Sequence, residues 1–471
     1  MCAIAARFAA VCSTNVTNKR NVILMGIRKT SGIIISYLKL LLVLGLMLCA
    51  QASAAHASRA PLKFGPEFEF QRSQISLTKV PLRRQIFSEA IRKFSKYLEL
   101  DETDLARIPE QWLKPEGSKL RYDQDIVFEG RLDFQEKPPF WPLSPTEAYI
   151  DTANVNAYTP NSWDRSPQVH ISFDNQSVVK VFYTVDDVVL EAHHNPMSLD
   201  EARRYAPVLD DLIFSMSRRL PIKVPENGGG HIHIDLLQIL KRADEHDPKV
   251  GLRLLRNFIV DFYSHSQFIT FALRAHPTWA LTLGMTSEER VLWFHETIKA
   301  VDVKIQSANL QSFDDAIDFI DKNLRPLNTL LPISLVSGDE YDNLAFPPEI
   351  GIYKPAIQFS KRLKTMEIRA LNAQHSYLEF IDLAQLLNGR LDYLSSLKQP
   401  LPLPEWKDIQ IKPKEYYHKK LSLQTLEAVE KQAINYVSEA MIHVPKHLRP
   451  ELKERLFFVF KRRLKRFSCG G

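Results

Sequence analysis

A chain of 471 residues has room for one large domain or two. Hydrophobic residues at 45%, charged residues at 25% and aromatic residues at 10% exclude disorder as the dominant state, and 16 Gly with 28 Pro exclude collagen-like and low-complexity chains. The net charge of +6 sits at the ends: residues 1–57 carry +6 and residues 446–466 carry +7, so residues 58–445 are acidic at −7, which excludes a basic nucleic-acid groove through the body.

The first segment reads as a leader. Arg28 and Lys29 precede an apolar stretch, Leu40–Ala50 is uninterrupted, and Ala52-Ser53-Ala54 and Ala55-His56-Ala57 both fit a small-residue cleavage site. This three-part layout predicts a secretory signal peptide over residues 1–57, with Met25 as an alternative start, and hence an exported chain: periplasmic, secreted or delivered to a host cell. The same run allows a second reading, an N-terminal membrane anchor, since Ile33–Ala50 approaches the ~20 residues of a bilayer span. Cys2, Cys12 and Cys49 lie in the leader, so Cys469 alone remains after cleavage, and neither an intrachain disulfide nor a cysteine metal site is expected.

Beyond the leader, Pro61–Phe70 alternates as a strand and Pro81–Leu100 has helical spacing. Residues 101–165 are mixed, with a loop at Pro138-Pro139-Phe140-Trp141-Pro142. Three strands follow at Gln168–Phe173, Val178–Thr184 and Val188–His193, the first two separated by a turn at Asp174-Asn175-Gln176. Ser198, with Glu201 three residues on, is a capping box that opens a helix over Ser198–Arg219. A strand at His231–Leu236 follows a glycine run. Residues 237–324 are largely helical with a break at Pro277. Strands at Ile352–Phe359 and Lys364–Leu371 precede a helix over Ser376–Leu397. Residues 398–404 read as a stiff Pro-rich linker to a C-terminal helical segment, with helices at Ser422–Ile442 and Leu448–Arg466. Strands separated by long helical insertions predict an α+β catalytic domain over 58–397 and a helical segment over 398–471.

Four strands share one feature. Strand side chains alternate, so Glu67 and Glu69 share a face opposite Phe64, Phe68 and Phe70. Likewise Glu191 and His193 oppose Leu190 and Ala192, His231, His233 and Asp235 oppose Ile232 and Ile234, and Glu367 and Arg369 oppose Met366, Ile368 and Ala370. Each pair alone is ordinary for a solvated sheet face or a cross-strand ion pair. Gathered on one face, the carboxylates repel and call for a cation. Oxygen ligands with an imidazole suit Mg²⁺ or Mn²⁺ better than Zn²⁺, and an Arg among them points to an anion shared with the metal, phosphate being the natural one.

The ordered set resembles the glutamine synthetase and glutamate–cysteine ligase superfamily, in particular its bacterial amidoligase branch. Phe64-Gly65-Pro66-Glu67-Phe68-Glu69-Phe70 looks like the first metal-binding strand, and Val189-Leu190-Glu191-Ala192-His193-His194-Asn195-Pro196 like the later acidic strand. Gly229-Gly230-His231-Ile232-His233 is similar to the Gly-x-His-x-His strand, and Met366-Glu367-Ile368-Arg369 to the terminal Glu-x-Arg strand. The resemblance implies an antiparallel-sheet funnel with helices outside, which binds ATP and Mg²⁺ (or Mn²⁺) and joins a small-molecule or peptide carboxylate to an amine through an acyl phosphate. It makes Glu67, Glu69, Glu191, His231 and Glu367 metal ligands. It makes Arg369 the catalytic residue that steadies the transferring phosphoryl group, and His233, with Arg369, a contact of the nucleotide phosphates. The pattern departs at one point: His193 and His194 follow Glu191 where glutamine synthetases carry a second nearby Glu, a role for which Asp187 and Glu129 are the other candidates. Two other functions fit the same residues: a secreted, non-catalytic binding protein, and a phosphotransferase on the same fold.

The last helix is amphipathic. Leu452, Leu456, Phe457, Phe460 and Leu464 share a face, while Lys453, Lys461, Arg462, Arg463, Lys465 and Arg466 lie largely elsewhere. It either docks on the acidic body or makes a peripheral contact with anionic lipid or an acidic partner.

Overall fold

The alternation around Glu67 becomes strand β1, Lys63–Arg72, at the middle of an antiparallel sheet. The computed structural model describes residues 61–72, 129–132, 145–151, 168–173, 177–186, 189–214, 222–223, 229–273, 282–324, 327, 356–360, 363–412, 415 and 420–468. The leader and the helix expected over Pro81–Leu100 lie outside the described residues, as do Pro277 and Asp187. Among the described residues no helix is long and apolar enough to cross a membrane.

Ten further strands are described: β2 Glu129–Leu132, β3 Pro145–Asp151, β4 Gln168–Phe173, β5 Ser177–Asp186, β6 Val189–His194, β7 Met197–Ser198, β8 Ile222–Lys223, β9 Gly230–Asp235, β10 Ile357–Ser360 and β11 Thr365–Ile368. The order across the sheet is β10-β11-β9-β1-β6-β5-β4-β3-β2, with β7 and β8 also paired to β1, and the pairings are antiparallel. The α+β class read from the sequence is therefore what the chain adopts. Strands β2 and β3 arise within the stretch that reads as mixed in the sequence. β3 does alternate, Ala148 and Ile150 against Tyr149 and Asp151, but it starts on Pro145 just after the Pro-rich patch.

Among the described residues the helices of eight residues or more are α1 Leu199–Leu209, α2 Leu236–Ala243, α3 Pro248–Ser264, α4 Glu288–Ser307, α5 Phe313–Asn323, α6 Tyr377–Ser395, α7 Leu423–Met441 and α8 Arg449–Ser468. The capping box opens α1 as expected: the Glu201 amide donates to Ser198 Oγ at 3.2 Å, and the Ser198 amide donates to Glu201 Oε2 at 2.8 Å. The predicted helix does not run on unchanged. Pro207 inside α1 lacks an amide proton, and a π-turn over Asp210–Phe214 follows it.

The apolar sheet face is the floor of the core. Phe64, Phe68, Phe70, Ala192, Ile232, Ile234, Met366 and Ile368 are buried there. The Phe68 ring meets Phe214 at 5.0 Å, Phe380 at 5.7 Å and Tyr377 at 6.0 Å, which seats α6 against β1. Each such ring contributes about 1.5–3 kcal/mol by leaving water. His194 is on this side too. Its Nδ1–H donates to the Asn195 carbonyl at 2.7 Å, and its Nε2 accepts from the Tyr377 hydroxyl at 2.7 Å. Burial, with the nearby His193 charge, outweighs the help of that carbonyl and pushes its pKa down to about 4, so the ring is neutral.

Residues 398–404, read as a linker, are strapped to the body. Arg256 Nη1 donates to the Leu401 carbonyl at 2.6 Å, the Leu401 amide donates to Asn257 Oδ1 at 3.0 Å, and His295 Nε2 donates to the Pro404 carbonyl at 2.8 Å. The C-terminal segment belongs to the same compact unit as the sheet, Pro61–Gly471. Leu452, Leu456, Val459, Phe460 and Leu464 of α8 lie in the core, with the Phe460 ring 5.0 Å from Phe268. Arg455 and Arg463 of the same helix pair with Asp382 and Glu379 of α6 at 2.8 and 2.7 Å. The docked arrangement of α8 is the one adopted. Leu452, Leu456, Phe460 and Leu464 of its apolar side are inside the core, Phe457 is partly buried and Phe458 is exposed.

Candidate metal centre

Strands β11, β9, β1 and β6 are neighbours in that order, so motifs spread over three hundred residues of chain meet on the face opposite the Phe and Ile side chains. The register lines them up. Glu67 pairs with His231 on one side and His193 on the other, Glu69 pairs with Glu191, and Glu367 pairs with His233.

His231 is the hub. Its Nδ1 lies 2.6 Å from Glu67 Oε2 and 3.2 Å from Glu367 Oε1, and its Nε2 lies 3.6 Å from Glu69 Oε1. His233 Nε2 is 3.6 Å from Glu67 Oε2, and its Nδ1 is 3.3 Å from the Thr365 hydroxyl. His193 Nε2 is 3.4 Å from Glu191 Oε2. Arg369 Nη1 donates to Glu367 Oε1, while its Nε is buried with no hydrogen-bond partner among the described residues.

Two groups of side chains could each close on one cation. Ligand atoms of Glu67, His231 and Glu367 lie within 4.8 Å of one another, and so do those of Glu67, Glu191 and His193. Glu67 belongs to both. Four of the five expected ligands, Glu67, Glu191, His231 and Glu367, are thus brought together. The fifth, Glu69, stands beside them outside both groups, its Oε2 accepting the Gly229 amide at 2.6 Å. Alternation marks His193 as a face-mate of Glu191 but not as a ligand, and its Glu-x-His spacing is the signal that points to that role. Glu129 is on β2, four strands beyond β6.

The glycine run has a steric cause. A Cβ on Gly229 would come within 2.6 Å of His231 Nε2 and 2.7 Å of Glu69 Oε1. A side chain there would displace the hub imidazole and the carboxylate beside it.

The protonation pattern fits a site built for positive charge. Burial pushes the Glu67 carboxyl up, but the charge and hydrogen bond of His231, with His233 and His193, outweigh it and hold the carboxyl well below its usual range. Burial and the Arg369 charge push His231 down, yet Glu67 and Glu367 raise it overall. His233 is raised against its burial by the same two carboxylates. Burial, with repulsion from Glu191 and Glu67, lifts Glu69 to about 7 against the pull of His231 and the Gly229 amide. Glu191 is raised by burial and by the Glu67 charge. Without a cation the face holds protons in its place: on imidazoles between carboxylates, and on carboxyls that would otherwise repel. Oxygen and imidazole donors that close together fit a divalent cation of the Mg²⁺–Mn²⁺ class. The partnerless Arg369 Nε, beside that cation position, fits an anion.

Neither models of known protein families nor curated protein sequences match the chain.

Proposed function

We propose that the chain is an ATP-dependent carboxylate–amine ligase on a glutamine synthetase-like sheet. One observation carries the reading: the four motif strands, scattered from residue 64 to residue 369, are adjacent and in register, with Arg369 beside the Glu67–His231–Glu367 group. A carboxylate is a poor electrophile at neutral pH, and phosphorylation gives it a leaving group. That transfer is mainly a matter of positioning and of neutralising charge.

The residues divide the work. Glu67, His231 and Glu367 would hold one cation, and Glu67, Glu191 and His193 a second. Bound there, the cations supply positive charge for the phosphate oxygens. Arg369, anchored through Glu367, would offer its planar guanidinium to the phosphoryl oxygens. His233, steadied by Thr365, lies two residues along β9 from His231 and would contact the nucleotide phosphates. Glu69 sits outside both groups, held by the Gly229 amide, and would be placed to take a proton from the attacking amine.

The test works whichever carboxylate and amine are the substrates. The full chain, with Mg²⁺ or Mn²⁺ and ATP, is followed by thermal unfolding and then by ADP release in the presence of pooled amines and carboxylates. Nucleotide at about a hundred times its Kd should add about 2.7 kcal/mol of stability, and this gain should vanish in Glu67→Gln and His231→Ala. A wild-type chain that gains no stability from metal and ATP refutes the reading. Stabilisation without ADP release would leave a binding protein, and ADP release without an amide product would leave a phosphotransferase.

A further inference from the structure

One polar atom beside the metal centre has no role in holding a cation. Asn372 forms an isolated antiparallel bridge with Gly229. Residues paired across antiparallel strands point to the same face, so Asn372 stands on the polar face, on the flank of Gly229 away from Glu69. It is 6% exposed, and its Oδ1 is buried with no hydrogen-bond partner among the described residues. We infer that this oxygen receives an N–H of the attacking amine, held between Asn372 and Glu69 beside Gly229, and that Asn372 thereby selects an unhindered primary amine, ammonia included, as the nucleophile.

Three observations support this. A buried acceptor without a donor is costly, so a fold that keeps one has its donor arriving from outside the chain. The backbone of Asn372 is pinned: its amide donates to the Leu273 carbonyl at 2.6 Å, and its carbonyl accepts Gln374 Nε2 at 2.7 Å. The side chain therefore stands on a fixed base and loses little freedom when it takes a ligand. The chemistry of the row is the second observation. Asn372 Oδ1 and the Glu69 carboxylate both accept, and a pair of acceptors suits a head group that carries several N–H donors. Space is the third. A Cβ on Gly229 would come within 2.6 Å of His231 Nε2 and 2.7 Å of Glu69 Oε1, so a nitrogen reaching this row has little room for branches. Arg369, which would hold the phosphoryl group, is three residues before Asn372 in the chain and on the same face, so the amine would wait next to its electrophile.

The inference rests on the ligase reading above, and its test separates the two. The full chain, saturated with Mg²⁺ and ATP, is melted in rising methylammonium chloride and separately in tetramethylammonium chloride, which has the same charge and no N–H, at constant ionic strength. Wild type should show a saturable rise in melting temperature with methylammonium and none with tetramethylammonium. Asn372→Ala should raise the half-saturating methylammonium concentration about tenfold or more, as expected for the loss of one hydrogen bond to a charged group, and should keep its stabilisation by Mg²⁺ and ATP. Asn372→Asp keeps the oxygen and should bind methylammonium at least as tightly as wild type; it decides the matter should the Ala variant fail to fold. An Ala variant with wild-type half-saturation, or an Asp variant weaker than wild type, overturns the inference. So does a wild-type chain that responds to both cations alike or to neither, and the gain from Mg²⁺ and ATP in the same melts then still supports the ligase reading. An Ala variant that folds but loses that gain makes Asn372 a support of the metal centre and also overturns the inference. If wild type gains nothing from Mg²⁺ and ATP, the ligase reading falls and the inference falls with it.

Discussion

Glu69 offers a direct measure of how strongly the site is short of positive charge. In the folded chain its carboxyl is lifted from 4.5 to about 7, chiefly by burial and then by Glu191 and Glu67. The sign follows from linkage. An acid whose folded pKa is raised binds more protons folded than unfolded between the two values, so the folded state loses stability as pH rises from about 4.5 to about 7. Each pKa unit is worth 1.36 kcal/mol, so ionised Glu69 costs the metal-free fold about 3 kcal/mol at pH 8 and under about 1 kcal/mol at pH 5. Gln at this position mimics the protonated acid and still accepts the Gly229 amide. Glu69→Gln, unfolded by urea in chelator, should therefore be more stable than wild type at pH 8 by about 3 kcal/mol, with the advantage shrinking towards pH 5. Saturating Mn²⁺ should remove most of the difference by stabilising wild type. A stability difference that does not change with pH, or a Gln variant that is weaker at pH 8, would refute the charge balance drawn here.

Arg369→Lys should depress turnover far more than it weakens nucleotide binding, because an ammonium cannot reproduce the planar fork on the phosphoryl oxygens; equal losses in kcat and in ATP affinity would reduce Arg369 to an ion-pair partner of Glu367. Tyr377→Phe removes the hydroxyl donor to His194 Nε2 and leaves a buried acceptor unsatisfied, which should cost about 1–3 kcal/mol in urea unfolding without changing metal binding. Deleting residues 446–471 uncovers the seat of Leu452, Leu456, Val459, Phe460 and Leu464, a loss on the order of 10 kcal/mol that rivals the whole stability of a domain, so the truncated chain should fail to melt cooperatively; a truncated chain with a wild-type melting temperature would show that α8 is not part of the core.

Which parts were legible in the sequence follows from the range of the forces involved. Period-two alternation marks a strand with one buried face, and it placed β1, β4, β5, β6, β9 and β11 to within a few residues. The capping box at Ser198 is equally local. Alternation also says which residues share a face on one strand, so the Glu and His pairs were readable as candidates. What alternation does not carry is which strands are neighbours. That Glu67 lies between His231 and His193 depends on β1 pairing with both β9 and β6, and the connections between them span long stretches of chain. The two-group arrangement, with Glu67 in common and Glu69 outside, appears only with that register. The tail shows the same limit: an amphipathic basic helix has one pattern whether its apolar side meets a lipid or the Phe268 and Phe271 rings.

The docked tail also bears on the site. Arg463 is buried, and its Nη1 donates to the carbonyls of Ala272 and Leu273, both at 3.3 Å. The Leu273 carbonyl in turn accepts the Asn372 amide at 2.6 Å, and Asn372 forms an isolated bridge to Gly229. Gly229 is the residue whose amide holds Glu69 and whose missing side chain makes room for His231. A continuous run of hydrogen bonds and strand pairing therefore leads from the last helix to the edge of the metal centre. Each carbonyl along it is buried, so releasing one partner leaves a polar group without water to replace it. On that physics the C-terminal helix is a buttress for the strand end that carries Gly229, which explains why so basic a segment folds onto the core. Three of its arginines, Arg455, Arg462 and Arg463, pair with Asp382 and Glu379 on α6, the helix that also packs under Phe68 on β1.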